Sequence, residues 1–84
     1  MAFKQKERDS MQLKPISATG SKIIGPISQI GPEHHAIILG EHKVNKHVYV
    51  AESMHYGYRY DTYENFINRY SSNGEIKVFA NDGK

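Results

Sequence analysis

The strongest apolar patterning lies between His34 and Ser53, where two runs, AIILG (Ala36 to Gly40) and HVYVA (His47 to Ala51), flank the polar connection EHKVNK. β-branched and aliphatic clusters on either side of a charged link predict two antiparallel strands, 36–40 and 47–52. A third run, EIKVF over 75–79, alternates well enough to add another strand. Between them Tyr63, Phe66, Ile67 and Tyr70 recur at the i, i+3, i+4, i+7 spacing of a single buried helical face. That spacing predicts a helix over 61–71. Asp61 is its expected N-cap, with Glu64 three residues on completing a variant of the capping box, and Ser72, Asn73 and Gly74 stop it.

The rest of the chain is patterned less clearly. Residues 1–19 scatter isolated apolar side chains among charges, Gln, Ser and Thr, and Pro15 interrupts whatever helix Lys4 to Leu13 begins, which predicts a loosely ordered arm ahead of a single domain over 20–84. KII (Lys22 to Ile24) and ISQI (Ile27 to Ile30), punctuated by Gly20, Gly25, Pro26, Gly31 and Pro32, read equally as short strands or as irregular loop. In SMHYGYRY, Gly57 marks a bend or bulge, and Asn81 to Gly83 read as a turn.

Together these elements predict an α+β fold: a small antiparallel sheet packed against one helix. Ile37, Ile38, Val48, Val50, Phe66, Ile67 and Val78 are the expected core. Neighbours in a strand point to opposite faces, so joint burial of Ile37 and Ile38 requires cover on both sides of the sheet. A chain of 84 residues with 38% apolar content has little to spare for that. The pattern therefore predicts an assembly, a homodimer or a protein partner, formed through a sheet edge or by exchange of the arm.

Composition narrows the chemistry. With no cysteine there is no disulfide, no thiolate metal site and no thiol nucleophile on this chain. No run approaches the ~20 apolar residues of a membrane span, and the N-terminus lacks a signal-peptide core, so a soluble cytoplasmic protein is expected. The net charge is +2, and the eleven Lys and Arg are dispersed, so nucleic acid is not the expected partner. Tyr56, Tyr58 and Tyr60 with Arg59 keep a base-stacking surface as an alternative. Their alternate spacing also suits an amphipathic layer over a sheet.

Five histidines, His34, His35, His42, His47 and His55, crowd the middle of the chain. Neither HExxH nor a paired Cys/His spacing is present, and no metal or other cofactor is expected. If the two central strands are antiparallel, His34 and His35 at the mouth of the first share a sheet edge with Glu52 and His55 at the end of the second. Glu52 then serves as a base or as an orienting partner for a histidine.

HHAIILG, followed by VYVAES, GYRYDTYENF and IKVF, resembles the N-terminal half of the lecithin:retinol acyltransferase-like domain, a permuted relative of papain-like thiol hydrolases. The resemblance spans roughly Gly31 to Phe79 and implies that His34 falls on the family's catalytic histidine. His35 takes the neighbouring aromatic position, and Glu52 or His55 is the second polar member. The family's nucleophilic cysteine lies in a later Asn-Cys-Glu-type segment, which this sequence does not contain.

The resemblance thus implies a truncated or degenerate acyltransferase/hydrolase-like domain that acts by binding, with no catalysis of its own. Its site would be His34 and Glu52, with His35, His55 and Tyr58 as binding residues and an acyl or peptide-like compound as ligand. One alternative is part of an active cysteine-dependent enzyme in which His34 is the base and the thiol comes from another segment. The other is a small basic module that binds nucleic acid or protein.

Overall fold

The computed structural model describes residues 5–26 and 33–80. Helix α1 (Gln5–Ser10) and strand β1 (Leu13–Lys14) lead into β2 (Lys22–Pro26), β3 (Glu33–His42), β4 (Val48–Met54) and β5 (Gly57–Thr62). Helix α2 (Tyr63–Tyr70), a 3-10 turn (Ser71–Asn73) and β6 (Lys77–Phe79) follow. All strand pairings are antiparallel, the order is β5-β4-β3-β2-β6, and β1 adds to the far end of β3. The α+β architecture is the expected one. The sheet is wider, because KII and GYRYDT both become strands and β6 pairs with β2 instead of with the central pair.

Alternation along β3 divides the core in two. Ile38 and Ala36 face α2 with Ile23, Val50 and Phe66, while Leu39 faces the other way and meets Leu13 and Ala51. Cover on the second face comes from the same chain: Leu13 is 1% exposed, and Met11 packs beside it. The arm's second half is thus docked, which the scattered apolar residues did not suggest. Ile37, on that face, is half-buried, as are Val48 and Ile67 on the helix side.

Two glycines make the packing possible. Gly40 follows a register shift in β3 at φ +152°, and a Cβ there would sit 2.5 Å from the Lys14 carbonyl oxygen, so only glycine lets β1 close over this point. A Cβ on Gly25 would lie 3.1 Å from Tyr70 Cβ and 3.2 Å from the Phe66 ring. Its absence lets α2 settle close over β2.

Two sequence expectations are corrected. Val78 is 49% exposed, because β6 is a three-residue edge strand and α2 packs mainly on β2, β4 and β5. The N-cap is Thr62, whose hydroxyl accepts from Asn65 N–H at 3.1 Å. Asp61 still belongs to β5 and accepts from Thr62 N–H, so the capping box shifts by one residue and Glu64 is no longer at its partner position. The ISQI piece, Gly31, Pro32 and the turn expected at Asn81 to Gly83 lie outside the described residues.

Candidate functional site

The β4–β5 hairpin turns through His55 and Tyr56, which sets Met54 opposite Gly57 and, two pairs back, Glu52 opposite Arg59. Glu52 also pairs across to Ala36 on β3, so its side chain points to the helix-covered face. His34 lies two residues before Ala36 on that same face, opposite Gly25. The last turn of α2, lowered onto Gly25, brings Arg69 and Tyr70 over both. A hub forms around one carboxylate.

Glu52 is fully buried. Its Oε1 accepts from Arg59 Nη2 at 2.8 Å and Nε at 3.2 Å, and from Arg69 Nη1 at 2.8 Å. Its Oε2 accepts from the Tyr70 hydroxyl and has His34 Nε2 at 2.7 Å. Arg69 turns its other amino group to Asp61, which also accepts from Asn65 Nδ2 at 2.9 Å. Burial pushes the Glu52 carboxyl up, but hydrogen bonds from Tyr70 and Arg59 and the charges of His34 and Arg59 more than offset it, leaving the group below the usual carboxylate range. Burial likewise raises Asp61, yet its bonds from Asn65, Thr62 and Arg69 hold it low. Burial and the bond to Glu52 push the Tyr70 hydroxyl up.

A carboxylate held low and met by several donors is a poor proton acceptor, so the arrangement around Glu52 suits orienting its neighbours better than general-base chemistry. His34 is the exposed member of the pair: its side chain keeps 15% exposure against none for Glu52, and its ring lies 5.2 Å from that of Tyr70. Nε2 is buried against Oε2 without an aligned hydrogen bond, although the two atoms are 2.7 Å apart. The ring lies between Glu52 and Tyr70 with its Nε2 still short of an aligned hydrogen bond.

The other sequence candidates do not join this pair. Adjacent in a strand, His34 and His35 point to opposite faces, and His35 lines an open depression of about 440 Å³ with Lys22, Ile37, Ser53 and Tyr58 on the face away from α2. Tyr58 therefore lies with His35, not with His34. His55 is exposed in the hairpin turn, edge-to-face with Tyr56 at 5.2 Å, and of the two it is Glu52 that lies beside His34. Arg59, the cation of the base-stacking alternative, is committed to Glu52. Among the described residues no group of three or more His, Asp or Glu side chains is placed to hold a metal ion, and no helix is long and apolar enough to cross a membrane.

Sequence reasoning missed Arg59, Arg69, Tyr70 and Asp61 as members of the hub. A signal for one was present: with a two-residue turn at His55 and Tyr56, Arg59 must oppose Glu52. No family model, curated protein or solved structure matches this chain.

Proposed function

We propose that this chain is an acyltransferase/hydrolase-like domain of the permuted papain type that acts on its own by binding an acyl or peptide-like ligand at His34. The observation that carries the reading is the His34–Glu52 pair: an imidazole at the head of a central strand, its Nε2 2.7 Å from a buried carboxylate and without an aligned hydrogen bond among the described residues. That these two residues lie side by side supports the reading. Binding is the activity the residues support, since the chain has no thiol for His34 to activate. A carbonyl or amide group would hydrogen-bond the ring, and the Tyr70 ring beside it offers an apolar wall.

The test is a titration with S-acetyl-N-acetylcysteamine, a small acyl thioester, followed by amide and imidazole NMR shifts. Saturable shifts centred on His34 and Tyr70 and lost in His34→Ala support the reading. Shifts confined to His35 and Tyr58, or none at millimolar ligand, sink it.

The ionised state of Glu52 favours one second reading, in which a cysteine on another segment completes an active site with His34 as base. A free thiol can substitute for that segment. If this reading holds, N-acetylcysteamine and p-nitrophenyl acetate react faster in the presence of the protein, and His34→Ala removes the acceleration while His35→Ala keeps it.

A further inference from the structure

The two edges of the sheet are built differently. β6 is three residues long and carries Lys77, the kind of short, charged edge that resists further pairing. At the other end β5 has six residues, GYRYDT, with neither Lys nor Pro, and no strand follows it in the sheet among the described residues. Its side chains alternate cleanly. Arg59 and Asp61 lie on the α2 face, opposite Glu52 and Val50, while Tyr58 and Tyr60 lie on the other face and are 46% and 50% exposed.

We infer that β5 is a self-pairing edge through which two copies of this chain join antiparallel about a two-fold axis at Tyr60. The sequence of β5 selects that register. A two-fold perpendicular to the sheet keeps like faces together and sets one residue opposite its own copy. Centring it on Arg59 opposes two guanidinium groups, and centring it on Asp61 opposes two carboxylates. Centring it on Tyr60 sets Arg59 opposite Asp61 of the second copy, Asp61 opposite Arg59, and Tyr60 against Tyr60. Centring on Tyr58 leaves Arg59 opposite Gly57, with no charge facing it from the second copy. Only the Tyr60 register sets each of these side chains opposite one of the other sign in the second copy and stacks an aromatic pair at the axis.

In that register each Arg59, bonded on one side to Glu52 of its own chain, gains a carboxylate on the other. The two ionic hubs then lie on one face of a continuous sheet, with both α2 helices on the same side. One strand edge buries less than the ~1,200 Å² of a standard interface, so the dimer forms and dissociates readily and its population follows concentration.

The absence of native cysteine makes the register directly measurable. Opposed residues of an antiparallel pair have Cα atoms about 4.5–5.5 Å apart, within the span of a disulfide at about 4.4–6.8 Å. In the Tyr60 register the two copies of Tyr58 are four residues out of step, about 14 Å apart. Tyr60→Cys is expected to cross-link under mild oxidation, whereas Tyr58→Cys and the remote control Ser72→Cys remain mostly monomeric. Sedimentation velocity of the unmodified chain from about 10 µM to about 1 mM should show a rising dimer fraction. Tyr60→Lys, which places two ammonium groups at the axis, should abolish it with circular dichroism unchanged. A monomer throughout that range overturns the inference and leaves the edge to a different chain. So does cross-linking of Tyr58→Cys at the rate of Tyr60→Cys, or a dimer that survives Tyr60→Lys.

Discussion

His34 Nε2 lies 2.7 Å from Glu52 Oε2, yet the two residues contribute to the fold in opposite ways. Glu52 is fully buried and ties β4 to β5 and α2 through Arg59, Arg69 and Tyr70. His34 adds a ring at the margin of that hub and leaves one buried nitrogen without an aligned bond.

Glu52→Gln should be costly. Removing the charge strands two guanidinium groups and a tyrosine hydroxyl that converge on it, and breaking a buried ion pair on one side costs roughly 3–5 kcal/mol. Arg59 and Arg69 keep partial access to water, with side chains 42% and 34% exposed, which places the loss near the lower end, at about 3 kcal/mol. Denaturant unfolding of the two proteins measures it.

Stability should fall with acid. Glu52 and Asp61 have carboxyls held below their unfolded values, so their contribution is complete above the unfolded carboxylate range near pH 4 and is lost as pH drops through the lowered folded values. Tyr70 acts at the other end. Its hydroxyl is raised above the unfolded value, so its contribution is complete below about pH 10 and is lost as pH rises through the folded value. Unfolding midpoints at pH 7, 4 and 3 should decline in the native chain and decline less in Glu52→Gln, and absorbance at 295 nm should show one tyrosine ionising after the others.

The cap correction is testable at one residue. Thr62→Ala should cost about 1 kcal/mol and Thr62→Asn should be nearly neutral, because either a hydroxyl or an amide oxygen satisfies Asn65 N–H. A neutral Thr62→Ala would return the cap to Asp61.

Gly40→Ala should release the arm. Its Cβ would collide with the Lys14 carbonyl, and the displaced β1 would withdraw Leu13 from Leu39 and Ala51. Faster proteolysis between Ser10 and Ser21 is expected, with the α2 face intact. Leu13→Ala should reproduce it at a cost of roughly 2–4 kcal/mol.

The central strands and the helix were legible because their apolar spacing is local: Ala36 to Gly40, His47 to Glu52 and Tyr63 to Tyr70 each carry their own period. Leu13 was not legible as core because it stands among polar residues, and Ile23 was not because its KII piece read equally as strand or loop; the burial of each depends on pairing with β3. Val78 showed the reverse, an apolar period on an edge the helix does not reach. At the site, the sequence pointed to His34 and Glu52 together. It misplaced His35 with them, although the alternation that separated Ile37 from Ile38 separates the two histidines as well. Arg69 and Tyr70 were hidden because their role follows from how deeply α2 settles on Gly25, a matter of three-dimensional approach.

The most direct measurement is the unfolding free energy of His34→Ala beside His35→Ala and Glu52→Gln. If His34 is there to meet a ligand, its removal leaves Glu52 with Arg59, Arg69 and Tyr70 and deletes a buried nitrogen that lacks an aligned bond, so the loss should be about 1 kcal/mol or less, close to that of exposed His35 and far below that of Glu52→Gln. A loss at His34 matching that of Glu52→Gln, with none at His35, would contradict the account, because the ring would then be a packing element of the hub and not its binding group.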